Sequence, residues 1–260
     1  MIGSKYYFLF SELVRRDISS RYRGSVMGVL WAFVGPLLML AIYTFVFSVI
    51  FQARWGTDIN DKTAFAMNLF IGIILHGIFA ESMSRSPQII LQNTSYVKKI
   101  IFPLWLLPLV PVFSAAFHAV ISTFALLITF LLLKNELSLH ALLLPLSFLP
   151  IVLFSLGLSW FLAGVGVYLR DISQVMPMFI TILMFMAPIF YPVTAIPEDY
   201  QHWLYLNPLT YAVEMARGLL FTQTFPSLFD YSAYFLVAIL TAACGFLFFR
   251  KVRKGFADVL

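Results

Sequence analysis

Long apolar stretches, cut at intervals by short polar segments, constrain this chain more than any other feature. A helix that crosses a bilayer needs about 20 predominantly apolar residues. Stretches of that kind lie at about 29–51, 66–84, 109–133, 146–168, 175–191 and 231–249. Polar segments at 52–65, 85–103 and 134–142 separate some of them. Only 11% of the 260 residues are charged and 61% are hydrophobic, whereas soluble domains carry about 25% charged residues. A soluble core could not hide so much apolar surface at this length. The sequence therefore reads as one all-α polytopic membrane domain over 1–260, with six transmembrane helices.

The stretch from Arg170 to Phe221 departs from simple crossing helices. An apolar run from Val175 to Ile189 is followed by Pro188, Tyr191, Pro192 and Pro197, then by the acidic pair Glu198-Asp199. A second apolar piece, Trp203 to Phe221, is interrupted at Asn207-Pro208 and carries Glu214 and Arg217. Irregular backbone at membrane depth is tolerated only where protein buries it or it lines a cavity. The expectation is one crossing followed by a re-entrant hairpin over 192–222 that closes a pathway, with Tyr191, Pro192, Pro208, Glu214 and Arg217 as gate residues. Glu214 and Arg217 stand i, i+3 and can pair. The plainer alternative is a loop with an amphipathic helix lying on the membrane.

Residues 5–23 form an amphipathic pattern. Phe10, Leu13, Val14 and Ile18 share one face, and Glu12, Arg15, Arg16, Ser19 and Arg23 take the other, which suits a helix at headgroup level. The first 28 residues lack the apolar core and cleavage site of a signal peptide. Residues 85–103 interleave polar and apolar positions, as in a short amphipathic helix between spans. Ser155, Ser159 and Ala163, beside Gly157, Gly164 and Gly166, predict close helix approach. Thirteen of the 17 Lys and Arg fall in the N-terminus, the 85–103 segment, the Arg170 loop and the tail; the others are Arg54, Lys62, Lys134 and Arg217. That asymmetry places both termini in the cytoplasm and makes the Asn93-Thr94-Ser95 sequon irrelevant. The net charge of +5 reads as topology, not nucleic-acid affinity.

Few residues offer chemistry. No glycine is followed by lysine, so the chain has no phosphate-binding loop of the GxxxxGK[ST] type. The lone Cys244 excludes an intrachain disulfide and cysteine metal sites. His76, His118, His140 and His202 are scattered, and no His-Glu-x-x-His or nucleophile elbow occurs. Mid-span ionisable groups are too few for ion-coupled transport, so any transport draws its energy from elsewhere. Aromatic residues are abundant. Trp31, Tyr43, Phe45, Phe179 and Phe185 are candidates for a pathway in which rings stack on sugars, against the ordinary alternative of lipid-facing belts.

Arg15-Arg16-Asp17-Ile18-Ser19-Ser20-Arg21-Tyr22-Arg23-Gly24-Ser25, Gly28-Val29-Leu30-Trp31 and Pro36-Leu37 resemble the N-terminal signature of type-2 ABC exporter permeases that move polysaccharides. Tyr168-Leu169-Arg170-Asp171, Pro188-Ile189-Phe190-Tyr191, Ile196-Pro197 and Leu206-Asn207-Pro208-Leu209 resemble a second signature of that family. The likeness runs along the whole chain and is strongest to O-antigen exporter permeases, with capsule and teichoic-acid exporters as near relatives. It implies a permease homodimer joined to two copies of a separate ATPase that carries the ATP and Mg, with no cofactor in this chain. It implies an undecaprenyl-diphosphate-linked glycan as substrate and the bacterial inner membrane as location. By the same resemblance, 5–23 is an interface helix, and 85–103 is a coupling helix that contacts the ATPase through Gln92, Asn93, Tyr96, Lys98 and Lys99. Arg170 and Asp171 form a second contact. The diphosphate would meet Arg15, Arg16, Arg21 and Arg23. A permease for a drug, haem or another lipid would share this fold, and an ATP-independent scaffold of glycan assembly is a reading of a different class.

Overall fold

The computed structural model describes residues 2–50, 63–97, 102–134 and 138–260. Among them the chain is helical throughout, with no strand. Helix α1 (Ile2–Tyr22) precedes α2 (Trp31–Tyr43), which continues as a wider π-turn segment, Thr44–Ile50. Then come α3 (Ala64–Arg85), a short α4 (Thr94–Val97), α5 (Leu109–Lys134), α6 (Leu144–Tyr168) and α7 (Ile172–Phe185). The chain ends with α8 (Glu198–Leu204), α9 (Pro208–Arg217), α10 (Leu228–Val252) and α11 (Phe256–Val259).

Four helical segments are long and apolar enough to cross a membrane: Ala64–Gln88, Leu104–Leu133, Leu139–Tyr168 and Leu228–Val259. Each contains one of the stretches expected from sequence. The first and fifth stretches form shorter apolar helices, Trp31–Phe47 and Ile172–Phe185. The fifth was expected to run to 191, but α7 ends at Phe185. Pro188 disfavours helical backbone at the residue before it and offers no N–H. Tyr191 Oη then donates to the freed carbonyl of Phe185 at 2.9 Å. The first stretch runs on as a helix through Pro36.

Helix α3 is the hub. It is predominantly apolar and buries residues on every face, from Phe65 to Met83, as a helix surrounded by others does. Helices α5, α6, α7 and α9 all pack on it. Helix α10 sits at the periphery, packed mainly along α6, with only Ala238, Gly245 and Phe249 buried. Small residues permit that α6–α10 crossing. A Cβ at Gly157 would collide with the Thr241 carbonyl, and one at Gly245 with the Gly157 carbonyl. Gly166 lies equally close to the Pro87 carbonyl. Ser159 Oγ donates to the carbonyl of Pro108 at 2.6 Å and lies 2.7 Å from Ser86 Oγ. The small-residue spacing read from the sequence thus marks real helix contacts. Gly245→Leu is expected to separate α6 from α10 and cost about 2 kcal/mol or more, read as a lowered unfolding midpoint in detergent. Added bulk on the open side of the same helix, as in Leu247→Phe, is expected to leave the midpoint unchanged, since Leu247 is exposed.

Candidate functional site

The candidate site residues gather at the two ends of α3. Asn68 marks one end and Arg85 the other, about 25 Å apart along the helix.

At the Arg85 end, three helices each contribute a polar pair at i, i+4: Asp17 and Arg21 from α1, Glu81 and Arg85 from α3, Ser114 and His118 from α5. That spacing projects both members from one face. Arg85 bridges two helices, donating to Asp17 and, at 3.1 Å, to Glu81 Oε1. Ser114 Oγ donates to Asp17 Oδ2 at 2.7 Å. Arg21 Nη1 lies 3.2 Å from Glu81 Oε2 and 2.7 Å from His118 Nδ1. The side chains of Glu81, His118 and Asp17 are only 16 to 20% exposed. Two carboxylates therefore balance two guanidiniums at a shielded junction. Beside the network, Phe10 packs edge-on against Phe113 with centroids 4.9 Å apart. Glu81 and His118 also form the charged end of an otherwise apolar cavity of about 350 Å³ between α2, α3 and α5, which Tyr43 and Pro36 line.

In the sequence His118 is only one of four scattered histidines, and nothing joins it or Glu81 to α1. The signal was available in the three i, i+4 pairs, but nothing in the sequence shows that they meet. Arg15, Arg16 and Arg23 are exposed. Arg15 stands 3.9 Å from Glu12, while Arg16 and Arg23 have no ion pair among the described residues. Arg21 differs from these in being drawn into the network.

The segment after Arg85 folds as two 3-10 turns, Ser86–Gln88 and Leu91–Asn93, followed by α4. Ile89 and Ile90 anchor it in a cluster with Leu107, Val167, Phe249 and Phe256. Gln92 is exposed and bonded to Gln88 at 3.2 Å; Asn93 donates to the Ile89 carbonyl at 2.8 Å. Tyr96 stacks on Phe102 at 4.3 Å. Lys98 and Lys99 lie outside the described residues, as do Arg54 and Lys62. Arg170 and Asp171 are exposed in the turn after α6, at the same end of the bundle as Val167.

At the Asn68 end, α9 is inserted between α3 and α6. Leu209, Ala212, Val213 and Ala216 are fully buried, which removes the alternative of a helix lying on the surface at α9. Helix α8, by contrast, buries none of its residues. Asn207 caps α9 by accepting from the Leu209 N–H at 3.0 Å and donates to the Leu183 carbonyl at 2.8 Å. Pro208 opens the helix, and its carbonyl accepts from Tyr234 Oη at 2.7 Å. Arg217 is buried. It donates to the carbonyl of Asn68 through Nε and Nη2 at 3.2 and 3.1 Å, to Ile189 at 2.9 Å, and to Pro188. It also pairs with Glu214 Oε1 at 2.9 Å, as the sequence expected. Tyr191 and Pro192 lie half-buried in the turn below α7.

The aromatic candidates are not gathered into one wall within the chain. Trp31, Phe45, Phe179 and Phe185 are exposed, and Tyr43 is half-buried. Helices α2 and α7 each lean on α3, leaving two apolar outer faces uncovered.

The sequence that folds into this helical bundle matches a known family of membrane transporters. The family model for the ABC-2 type transporter covers residues 9–221. The chain belongs to the ABC-2 type transporter family. Among curated ABC-2 relatives, the O-antigen export system permease protein RfbA of Klebsiella pneumoniae is 28% identical over 97% of this chain and 96% of its own length. The protein of that name from Myxococcus xanthus is 25% identical over 98% and 96%. The polysialic acid transport protein KpsM of Escherichia coli is 26% identical over 79% and 78%. The ABC-2 match runs from residue 9, within α1, to residue 221, just after α9.

Proposed function

We propose that this chain is the membrane-spanning subunit of a bacterial inner-membrane ABC exporter that moves undecaprenyl-diphosphate-linked polysaccharide of the O-antigen type. Two copies would pair with two ATPase subunits, which carry the ATP and Mg and perform the hydrolysis. The reading is carried by full-length similarity to relatives named as O-antigen export permeases. The geometry supports it. The short helices after Arg85 and the Arg170-Asp171 turn share one end of the bundle, where an ATPase could contact both. Arg85 stands at the start of the first of these and is ion-paired to α1, so a push on that segment would reach α1 directly. In this reading all six apolar stretches cross the bilayer and both termini are cytoplasmic. Helices α2 and α7 cross where partner copies meet, and the glycan runs along Trp31, Tyr43, Phe45, Phe179 and Phe185. The re-entrant helices close the far side.

Co-purification from native membranes in mild detergent tests the assembly: a 2:2 complex with an ATPase subunit is expected, and a lone permease under conditions that preserve another ABC exporter would falsify it. The diphosphate site has its own test. Arginine suits phosphate oxygens through paired donors, and Arg16 and Arg23 are exposed with no ion pair among the described residues. Arg16→Gln/Arg23→Gln is expected to cut surface polysaccharide about tenfold or more while the assembly still purifies. Unchanged export would remove both residues from the mechanism.

A further inference from the structure

A second large cavity, about 720 Å³, opens between the re-entrant segment, α6 and the first turns of α10. It is distinct from the apolar cavity beside Glu81. Its lining changes character along α10. Asp230, in the first turn of α10, and Glu214 supply two carboxylates, and Tyr205 and Tyr211 stand with them. Val237, two turns further along α10 and about 10 Å away, lies with Phe154 and Met215 at the apolar end. No lysine, arginine or histidine lines it among the described residues. Glu214 shares its charge with Arg217, whereas the side chain of Asp230 has, among the described residues, the Ser227 hydroxyl alone, 2.6 Å away. Tyr211 Oη is buried with no hydrogen-bond partner among the described residues, and its ring lies 4.7 Å from that of Tyr234.

We propose that this cavity holds a zwitterionic membrane lipid with an ammonium headgroup, of the phosphatidylethanolamine type. Carboxylates and tyrosine faces at the mouth attract an ammonium and repel an uncompensated phosphate or anionic glycan. The Tyr211 hydroxyl, costly to leave unbonded, is a donor for the lipid's phosphate once the ammonium is seated. The apolar end, open at Val237, takes the start of an acyl chain. The cavity volume lies in the range of small-molecule sites. It is also continuous with the exposed apolar flank of α10 at Leu236, Val237 and Leu240, the surface that acyl chains cover. This inference does not depend on what the protein exports.

The test is native mass spectrometry of the full chain in mild detergent, titrated with phosphatidylethanolamine and phosphatidylglycerol of identical acyl composition. The ammonium lipid is expected to be retained about tenfold more strongly. Asp230→Asn is expected to shrink that ratio, and Asp230→Asn/Glu214→Gln to bring it close to one. Should Glu214→Gln fail to fold through its partner Arg217, Val237→Trp serves instead: it adds bulk at the apolar end without touching a charge and should evict both lipids. Equal retention of the two lipids by the unaltered chain would overturn the proposal, as would a ratio unmoved by Asp230→Asn. Displacement of the ammonium lipid by a neutral oligosaccharide would also overturn it, by assigning the cavity to glycan.

Discussion

Glu81→Gln abolishes export and loosens the N-terminal helix, and adding Arg21→Gln restores the fold. This is the expected result for a network whose charges cancel. Glu81 accepts from Arg85 and Arg21 and lies near the C-terminal end of α3. Neutralising it leaves two guanidiniums beside His118 with one carboxylate between them. Charge-assisted hydrogen bonds of this kind are worth about 1.5–3 kcal/mol each, and the partial exposure of Arg21 lowers its share. A loss of about 2–3 kcal/mol and a drop of roughly 5 °C in unfolding midpoint are therefore expected. Removing Arg21 as well returns the cluster to zero net charge with the Asp17–Arg85 pair intact. The double variant should recover most of the midpoint, a coupling of about 1–2 kcal/mol in a double-mutant cycle. Export adds a second readout. If stability returns and export does not, Arg21 has a role of its own at the substrate mouth. If the two single effects simply add, the three helices are not coupled through Glu81.

The sequence was informative where hydropathy alone decides the outcome. The four long spans and the small-residue crossing at Gly157 follow from composition and spacing, because lipid imposes one solution on each. The Asn207-Pro208 step was read as an interruption, and the structure makes it a helix cap. The Glu214–Arg217 pair was visible at i, i+3. What could not be read was long-range. Nothing in the sequence says that Asp17 meets Arg85 across 68 positions, or that the partners of Arg217 are mostly backbone carbonyls. Carbonyls carry no sequence signal. The end of α7 was misplaced for a related reason: apolar residues continue to Ile189, so hydropathy does not fall where the helix stops. The stop is set by Pro188 and by the burial of Ala187, Pro188 and Ile189 against α3, where Ile189 packs on Gly72.

That same buried tripeptide explains why Arg217→Met should be the most damaging single change. The chain is not helical at 186–192, so the carbonyls of Pro188 and Ile189 have no intrahelical partner in the buried interior. Arg217 satisfies both, together with the carbonyl of Asn68. Only a planar fork with several donors can reach three carbonyls and a carboxylate at once. Methionine would fill the space and donate nothing. Each orphaned buried acceptor costs about 1–3 kcal/mol, and Glu214 loses its counter-charge. A total of about 4 kcal/mol or more is expected, enough for the protein to fail to accumulate in membranes. Arg217→Lys keeps the charge but serves fewer acceptors, so it should accumulate with a lowered midpoint. Its export then separates two roles for the re-entrant segment. A static plug needs only to be held in place, and a folded lysine variant would still export. A moving gate must re-form the same bonds in each cycle, so the lysine variant would export poorly while remaining folded. Wild-type abundance and midpoint in Arg217→Met would show that the carbonyl clamp does not hold α9 in the bundle.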